Sequence, residues 1–386
     1  MRTVVVAGAG LAGLSAAAEL RRRGWDGRLV IIGEERHRPY RRPPLSKEYL
    51  LATTPPVLDL PQADDLAAEW RLGRAAAGLD LRPRRVRLAG GEEIGFDGLV
   101  IATGAAARAE PPALAHPGVV RLRGLDDATA LRDRLTTSRR VLVVGGGFLG
   151  TEVAAAAVQL GKDVTLVDRG PQPLLRAVGA RVGHLVADLH RSHGVDVRLQ
   201  TQVRRLSGGL RSLSVQLDDG AVVATDLVVA ALGSHPSTGW LAGSGLRVDG
   251  GVMVDARGLA APGVTAAGDV ARWPHPVLDH EHVRIEHYAT AADQGRLAAR
   301  ALLGDLPDDR AALLPSFWSH QYDWRLQSVG FTGSRFEFTL VDHDGTDRFT
   351  GEYRHRGRLV GAITNGRPRA LVDYRTELLT QAAAAG

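Results

Sequence analysis

The sequence predicts an α/β protein made of two parallel-sheet units followed by a C-terminal α+β region. Three observations predict it. A strand–glycine turn–helix–strand–acid pattern runs from Val4 to Glu34 and again from Val141 to Asp168. A third apolar strand, Gly263 to Ala267, ends in Gly268-Asp269. From about Pro315 the chain turns to aromatic and alternating runs. At roughly 150 residues per domain, the 386 residues make two or three domains.

In the first unit, Val4-Val5-Val6 reads as a short buried strand and Gly8-Ala9-Gly10-Leu11-Ala12-Gly13 as the turn. A helix is expected over Leu14–Arg23, stopped by Gly24. Leu29–Ile32 is the next strand, and Glu34 lies just past it, 26 residues after Gly8. Gly8 permits the tight turn, Gly10 lets the backbone approach a pyrophosphate, and Gly13 lets helix and strand pack closely. The helix N-terminus then offers free amides and a favourable dipole to an anion. Glu34 can accept hydrogen bonds from ribose hydroxyls.

The second unit repeats this. Val141–Val144 is a strand, Gly145-Gly146-Gly147-Phe148-Leu149-Gly150 the turn, Thr151–Leu160 a helix closed by Gly161, and Val164–Val167 a strand. Asp168 ends it, 23 residues after Gly145. One glycine turn is a weak signal, because such turns occur without ligands; two in the same full context point to two dinucleotides. That implies a hydride relay between a mobile nicotinamide and a resident flavin. Gly145, Gly147, Phe148, Leu149, Gly150, Asp168 and Gly233 are the expected nicotinamide-nucleotide contacts. Asp168 would accept from a free 2′-hydroxyl and repel a 2′-phosphate, which favours NADH over NADPH, although Arg169 beside it could grip that phosphate. A carboxylate at Asp269 suits a flavin's ribityl hydroxyls.

Composition excludes several classes. With 0 Cys there is no disulfide, zinc ribbon or thiolate nucleophile. The net charge of +5 is mild, and the basic residues are interspersed with 43 acids, which argues against a dedicated nucleic-acid protein and is compatible with an acidic protein partner. Only Lys47 and Lys162 are lysines; every other basic residue is Arg. No stretch is long and apolar enough for a membrane span, and the uncharged run Thr3–Ala18, which could be mistaken for a signal peptide, carries the turn glycines instead. A cytoplasmic protein is expected. His184, His190 and His193 do not share one helical face, so they are read as solvated surface rather than as a metal site, and no metal is expected. His275, His280 and His282 are read as surface or partner-facing.

Further strings carry a family resemblance. Arg38-Pro39-Tyr40-Arg41-Arg42-Pro43-Pro44-Leu45-Ser46-Lys47, Ala102-Thr103-Gly104, Glu286-His287-Tyr288 and Phe317-Trp318-Ser319 flank the two turns and Gly268-Asp269. Read physically, Pro43-Pro44 sets a stiff, extended backbone presenting Arg42 to a pyrophosphate and Lys47 to a flavin edge. Nearly the whole chain resembles the flavin- and nicotinamide-dependent ferredoxin reductases that serve oxygenases. The resemblance implies a glutathione-reductase-like flavoprotein with two Rossmann-like dinucleotide-binding domains. The nested pattern itself sets the order: an FAD-binding domain over 1–109 and 233–312, an NAD-binding domain over 110–232 and a C-terminal α+β domain over 313–386, with a last helix near Val372–Ala385. The resemblance also implies that Glu34 binds the FAD ribose, that Thr103 and Gly104 line the pyrophosphate, and that Asp269 holds the ribityl chain. Glu286 and His287 run beside the flavin head, Trp318 covers its far side, and Glu152 meets the nicotinamide amide. Lys47, Glu152 and Trp318 are thus the expected catalytic residues. Tyr288 and His320 depart from the family's usual Trp and Asp.

The implied activity is electron transfer from NADH through FAD to a small iron–sulfur ferredoxin, with monomer and homodimer both open. Two other readings share the layout: an oxidoreductase acting directly on a small molecule or O2, and a redox-sensing protein similar to the apoptosis-inducing factor.

Overall fold

Alternation along one strand explains how the first unit is covered. The computed structural model describes residues 1–305, 313–343 and 347–384. In the strand Thr3–Ala7, Val4 and Val6 pack with the helices Leu11–Arg22 and Tyr288–Leu303. Val5 and Ala7 point the other way, onto a three-stranded antiparallel meander (Ala76–Asp80, Arg85–Leu88, Glu93–Gly95) and Trp273. A strand buried on both faces needs a continuous apolar run, which is why three valines stand together. Each buried valine contributes roughly 1.5–3 kcal/mol.

That strand is central in a six-stranded sheet. Arg28–Gly33 and then Glu69–Leu72 lie on one side; Gly98–Ile101, Val264–Ala266 and Leu259–Ala261 lie on the other. All pairs are parallel except the last. The strand that completes the sheet thus comes from beyond residue 250, after a second sheet has been built. That second sheet is wholly parallel, in the order Asp196–Arg198, Asp163–Val167, Arg140–Val144, Leu227–Ala230, Val119–Arg121. Its central strand repeats the alternation. Val141 and Val143 pack with the helices Leu125–Thr137 and Phe148–Gln159, whereas Leu142 and Val144 face another antiparallel meander through Leu213, Val215 and Leu217. Ala105–Ala107 and Ser234–Pro236, the segments joining the two units, pair antiparallel where the chain crosses over and back.

The C-terminal sheet is antiparallel, ordered Trp318–Gln321, Trp324–Gly330, Arg358–Asn365, Phe349–His355, Glu337–His343. Val178, Val182 and Val186 of the helix Leu175–Ser192 pack with its Phe349, Tyr353 and Ile363. Gly179 breaks that helix with φ +76°, and the C-terminal region takes up the carbonyls there: Thr332 Oγ1 donates to Ala177 O at 2.6 Å and the Tyr353 hydroxyl to Val178 O at 2.7 Å.

Several expectations are corrected. Both turn helices start three residues earlier than expected, at Leu11 and Phe148, so that Gly13 and Gly150 lie inside them. Pro43-Pro44 is not extended: Pro43–Ser46 is a turn of 3₁₀ helix. Proline fixes only φ, and the first turn of such a helix accepts the same φ without needing an N–H. His190 and His275 are buried, not on the surface. Each faces the C-terminal region, His190 bonding Tyr322 and Gln321, and His275 lying edge-on to Phe331 with its centroid 4.5 Å away. His184 and His193 are exposed as expected. Among the described residues no group of His, Asp and Glu could hold a metal, and no helix is long and apolar enough to cross a membrane. The expected boundary at residue 312 and the expected helix end at Ala385 lie outside the described residues; the final helix is Ala370–Ala384.

Candidate functional site

The two glycine turns are geometrically the same device. Gly8 has φ +128° and Gly145 φ +109°. A Cβ on Gly8 would lie 2.0 Å from Ala102 O, and one on Gly145 2.3 Å from Ala231 O. At the third glycine of each turn, a Cβ on Gly13 or Gly150 would lie 1.9 or 1.8 Å from the carbonyl of the first. The middle glycines differ from these in the same way. Around Gly10 and Gly147 nothing lies within 4 Å of a built Cβ. Each is the N-cap of its helix, with no side chain capping the free amides and no acid in the first turn. An open, uncapped helix N-terminus beside a backbone without side chain fits a pyrophosphate at both places. Leu149 is among the exposed large apolar residues, beside the second turn.

Lys47 and Glu152 meet, although they lie 105 residues apart. Lys47 follows the 3₁₀ turn of the first unit, and Glu152 lies in the helix opened by the second glycine turn. Their charged atoms are 2.6 Å apart, with 11% and 4% of each side chain exposed. Lys47 also donates to Pro43 O at 3.0 Å. Ser46 donates to the same Glu152 oxygen, Oε2, and Ser319 donates to Oε1 at 2.6 Å. The carboxylate therefore has three donors, which is what lets a buried charge pair persist. Trp318, next to Ser319, is 37% exposed and lies edge-on to Tyr288 with centroids 6.1 Å apart. Phe148 packs on Phe317 at 4.8 Å, closing the second turn against this strand. His320 is held below its ordinary pKa by burial and by Lys47 and Arg325.

A second cluster gathers around Arg42 and Asp269. Arg42 pairs with Glu35, and the Tyr40 hydroxyl accepts from Arg42 at 2.9 Å and from the Leu125 amide at 2.9 Å while donating to Glu35. Burial and the Glu35 bond hold the Tyr40 hydroxyl above its ordinary range, so it stays a neutral donor. Arg42 also donates to Arg123 O, and Arg123 donates to Asp269 at 3.2 Å. Burial raises the Asp269 carboxyl pKa, opposed by Arg123. Glu34 is exposed. Thr103 Oγ1 donates to Ser237 O at 2.9 Å, and Gly104 O accepts from Ser237 N. Glu286 accepts from Ser234, the neighbour of Gly233, and pairs with Arg284. His287 Nδ1 and Thr290 Oγ1 are buried without a hydrogen-bond partner at the start of the helix Tyr288–Leu303. Burial pushes His287 down to about 4. Polar atoms orphaned at this helix start, and the open space at Gly10, are what a polar ligand would satisfy.

In the second unit Asp168 is already engaged. Its Oδ2 accepts from the Gly146 amide at 2.5 Å and its Oδ1 from the Gly170 amide at 2.6 Å, while Arg169 is exposed. Sequence reasoning missed Ser46, Ser319, Glu35 and Arg123. Ser46 and Ser319 stand in the quoted strings beside Lys47 and Trp318; nothing in the sequence marks Glu35 or Arg123.

The chain has relatives among known proteins. A family model described as pyridine nucleotide-disulphide oxidoreductase matches residues 2–295, and one described as reductase C-terminal matches residues 316–385. The benzene 1,2-dioxygenase system ferredoxin–NAD(+) reductase subunit of Pseudomonas putida is 36% identical over 342 residues, covering 87% of this chain and 82% of its own. Rhodocoxin reductase of Rhodococcus erythropolis is 36% identical, covering 98% and 90%. A crystal structure of the covalent putidaredoxin reductase–putidaredoxin complex superposes with a TM-score of 0.91 at 31% identity, covering 98% of this chain and 93% of that one.

Proposed function

The chain belongs to the pyridine nucleotide-disulphide oxidoreductase family, among its ferredoxin reductases, and from that premise we propose that it is an FAD-dependent NADH:ferredoxin reductase of an oxygenase system, acting in the cytoplasm on a small iron–sulfur partner. The observation that carries this is the buried Lys47–Glu152 pair, which ties the stretch after the first glycine turn's unit to the helix of the second. The family's disulfide chemistry is excluded by the 0 Cys of this chain.

In this reading residues 1–109 and 233–312 form the flavin half, 110–232 the nicotinamide half and 313–386 the C-terminal domain. A bound flavin supplies the conversion of a two-electron hydride donor into a source of single electrons. The chain's own residues do the rest. Gly8, Gly10 and Gly13 present the helix amides to the FAD pyrophosphate, assisted by Arg42, Thr103 and Gly104. Glu34 takes the adenosine ribose, and Asp269, its charge balanced by Arg123, takes the ribityl hydroxyls. Glu286 and the orphaned His287 lie along the flavin head, and Trp318 shields its far side from water. Lys47 holds a positive charge at the ring edge, kept in place by Glu152. Gly145, Gly147, Phe148, Leu149, Gly150 and Gly233 shape the nicotinamide-nucleotide groove, Glu152 orients the carboxamide, and Asp168 selects a free 2′-hydroxyl.

The test is to purify the protein, identify its flavin by chromatography, and assay cytochrome c reduction by NADH and by NADPH with and without ferredoxins of oxygenase systems. The expected result is bound FAD, preference for NADH, and a rate raised by ferredoxin. If no ferredoxin raises the rate and a small organic substrate is consumed instead, the reading is wrong.

A further inference from the structure

Behind Glu152 a line of buried polar groups runs out of the site toward the surface. Ser319 Oγ donates to Glu152 Oε1 at 2.6 Å, and Gln321 Nε2 lies 3.2 Å from Ser319 Oγ. Gln321 Oε1 lies 3.0 Å from His190 Nε2, and His190 Nδ1 lies 3.0 Å from the Tyr322 hydroxyl. Ser319 and Gln321 share one face of the strand Trp318–Gln321, two residues apart, and His190 reaches them from the helix Leu175–Ser192. Ser319, Gln321 and His190 are at most 1% exposed. Tyr322 stacks on exposed His193 with ring centroids 3.7 Å apart.

The direction of every bond in this line follows from the charge at its inner end. An ionised carboxylate only accepts, so the single Ser319 proton must go to Glu152. Ser319 can then only accept from its other neighbour, which requires the Gln321 NH2 and not the carbonyl to face it. The Gln321 carbonyl therefore faces His190, whose Nε2 must carry the proton. Burial holds His190 down to about 4, so the ring is neutral and its Nδ1 is an acceptor, to which the Tyr322 hydroxyl donates. Four donors in series point at one carboxylate.

We infer that His190, with Gln321 and Ser319, is a positioning residue for Glu152: the line keeps Oε1 on Ser319 and leaves Oε2 to Lys47 and Ser46, and it ties the charge state of Glu152 to the tautomer of His190. The inference rests on the reductase reading only in its kinetic arm.

The direct test is a long-range 1H–15N spectrum of the purified holoprotein labelled at histidine nitrogens, with His190 assigned by its loss in His190→Gln. The expected result is an Nε2–H tautomer in the wild type. In Glu152→Gln the new amide can donate to Ser319, the line can reverse, and the His190 pattern shifts toward Nδ1–H. An Nδ1–H ring in the wild type, or the same pattern in both proteins, overturns the inference. The kinetic arm follows flavin reduction by NADH in single turnover. His190→Leu lowers the saturating rate by about tenfold, the effect of losing one buried hydrogen bond's alignment. His190→Gln, which keeps a donor toward Gln321, stays within about twofold. If His190→Leu lowers only the melting temperature, the residue is structural and the inference fails. A colourless protein that still shows the tautomer shift supports the line of donors and sinks the reductase reading instead.

Discussion

The two glycine turns share their backbone and differ in what their carboxylates do. Gly8 and Gly145 make the same close approach to the neighbouring strand, and Gly10 and Gly147 leave the same open space. Yet Asp168 spends both oxygens on the amides of Gly146 and Gly170, while Glu34 is exposed and the next residue, Glu35, is taken by Arg42 and Tyr40. One repeated motif has been given two kinds of surrounding. The second turn carries its acid as part of its own architecture, held by two backbone amides. The first unit gathers residues from far along the chain, Arg123 bonding both Arg42 and Asp269, and leaves His287 Nδ1 buried without a partner, which suits a ligand that stays.

The comparison is broken most severely at the open glycines. A Cβ on Gly10 or Gly147 has no protein atom within 4 Å, so Gly10→Val and Gly147→Val are expected to fold with unchanged far-ultraviolet circular dichroism. Gly10→Val is expected to be purified without flavin. Gly147→Val is expected to keep its flavin and to need at least about tenfold more NADH for half-maximal reduction. Identical defects in the two variants would mean the turns do not serve different ligands. Next comes the pair that joins the two units. Glu152→Ala leaves Lys47 buried without a counter-charge and costs about 3–5 kcal/mol in a denaturant titration. The double variant Lys47→Met/Glu152→Ala should recover part of that loss. A smaller effect separates the two acids: Asp168→Ala lowers the preference for NADH over NADPH by roughly tenfold, the worth of one hydrogen bond from a 2′-hydroxyl to a charged group, whereas Glu34→Ala leaves that ratio unchanged.

The smallest effect is on stability. Each half turns one buried neutral histidine toward the C-terminal region, His275 and His190, and burial holds both at about 4. Each binds its proton more readily when unfolded, so its contribution is complete above the ordinary value of 6.5 and is lost as pH falls from there through 4. Going from pH 7 to 6 costs roughly 0.7 kcal/mol per histidine. His190→Gln and His275→Gln should each flatten the measured slope by that amount.

The glycine turns were legible because a backbone requirement at Gly8, Gly13, Gly145 and Gly150 is written directly in residue type. The strands were legible because burial on both faces demands runs such as Val4–Val6. Lys47 and Glu152 were legible singly, through the strings around them, but not as a pair, because only the packing of the two units brings positions 105 residues apart into contact. His190 was read as surface because its own helix shows it among His184 and His193; the sheet that buries it is formed by residues 318–365. Pro43-Pro44 misled because one fixed angle serves both an extended chain and a 3₁₀ turn.

The central claim is that one chain holds a resident flavin and a transient pyridine nucleotide at its two glycine turns. An anaerobic titration of the purified protein with NADH, followed by its visible absorbance, tests it most directly. The account predicts a yellow protein whose flavin band is bleached by one equivalent of NADH per chain and restored by two equivalents of a one-electron oxidised ferredoxin. A colourless protein that cannot be reconstituted with FAD, or a yellow one that NADH does not bleach, would contradict it.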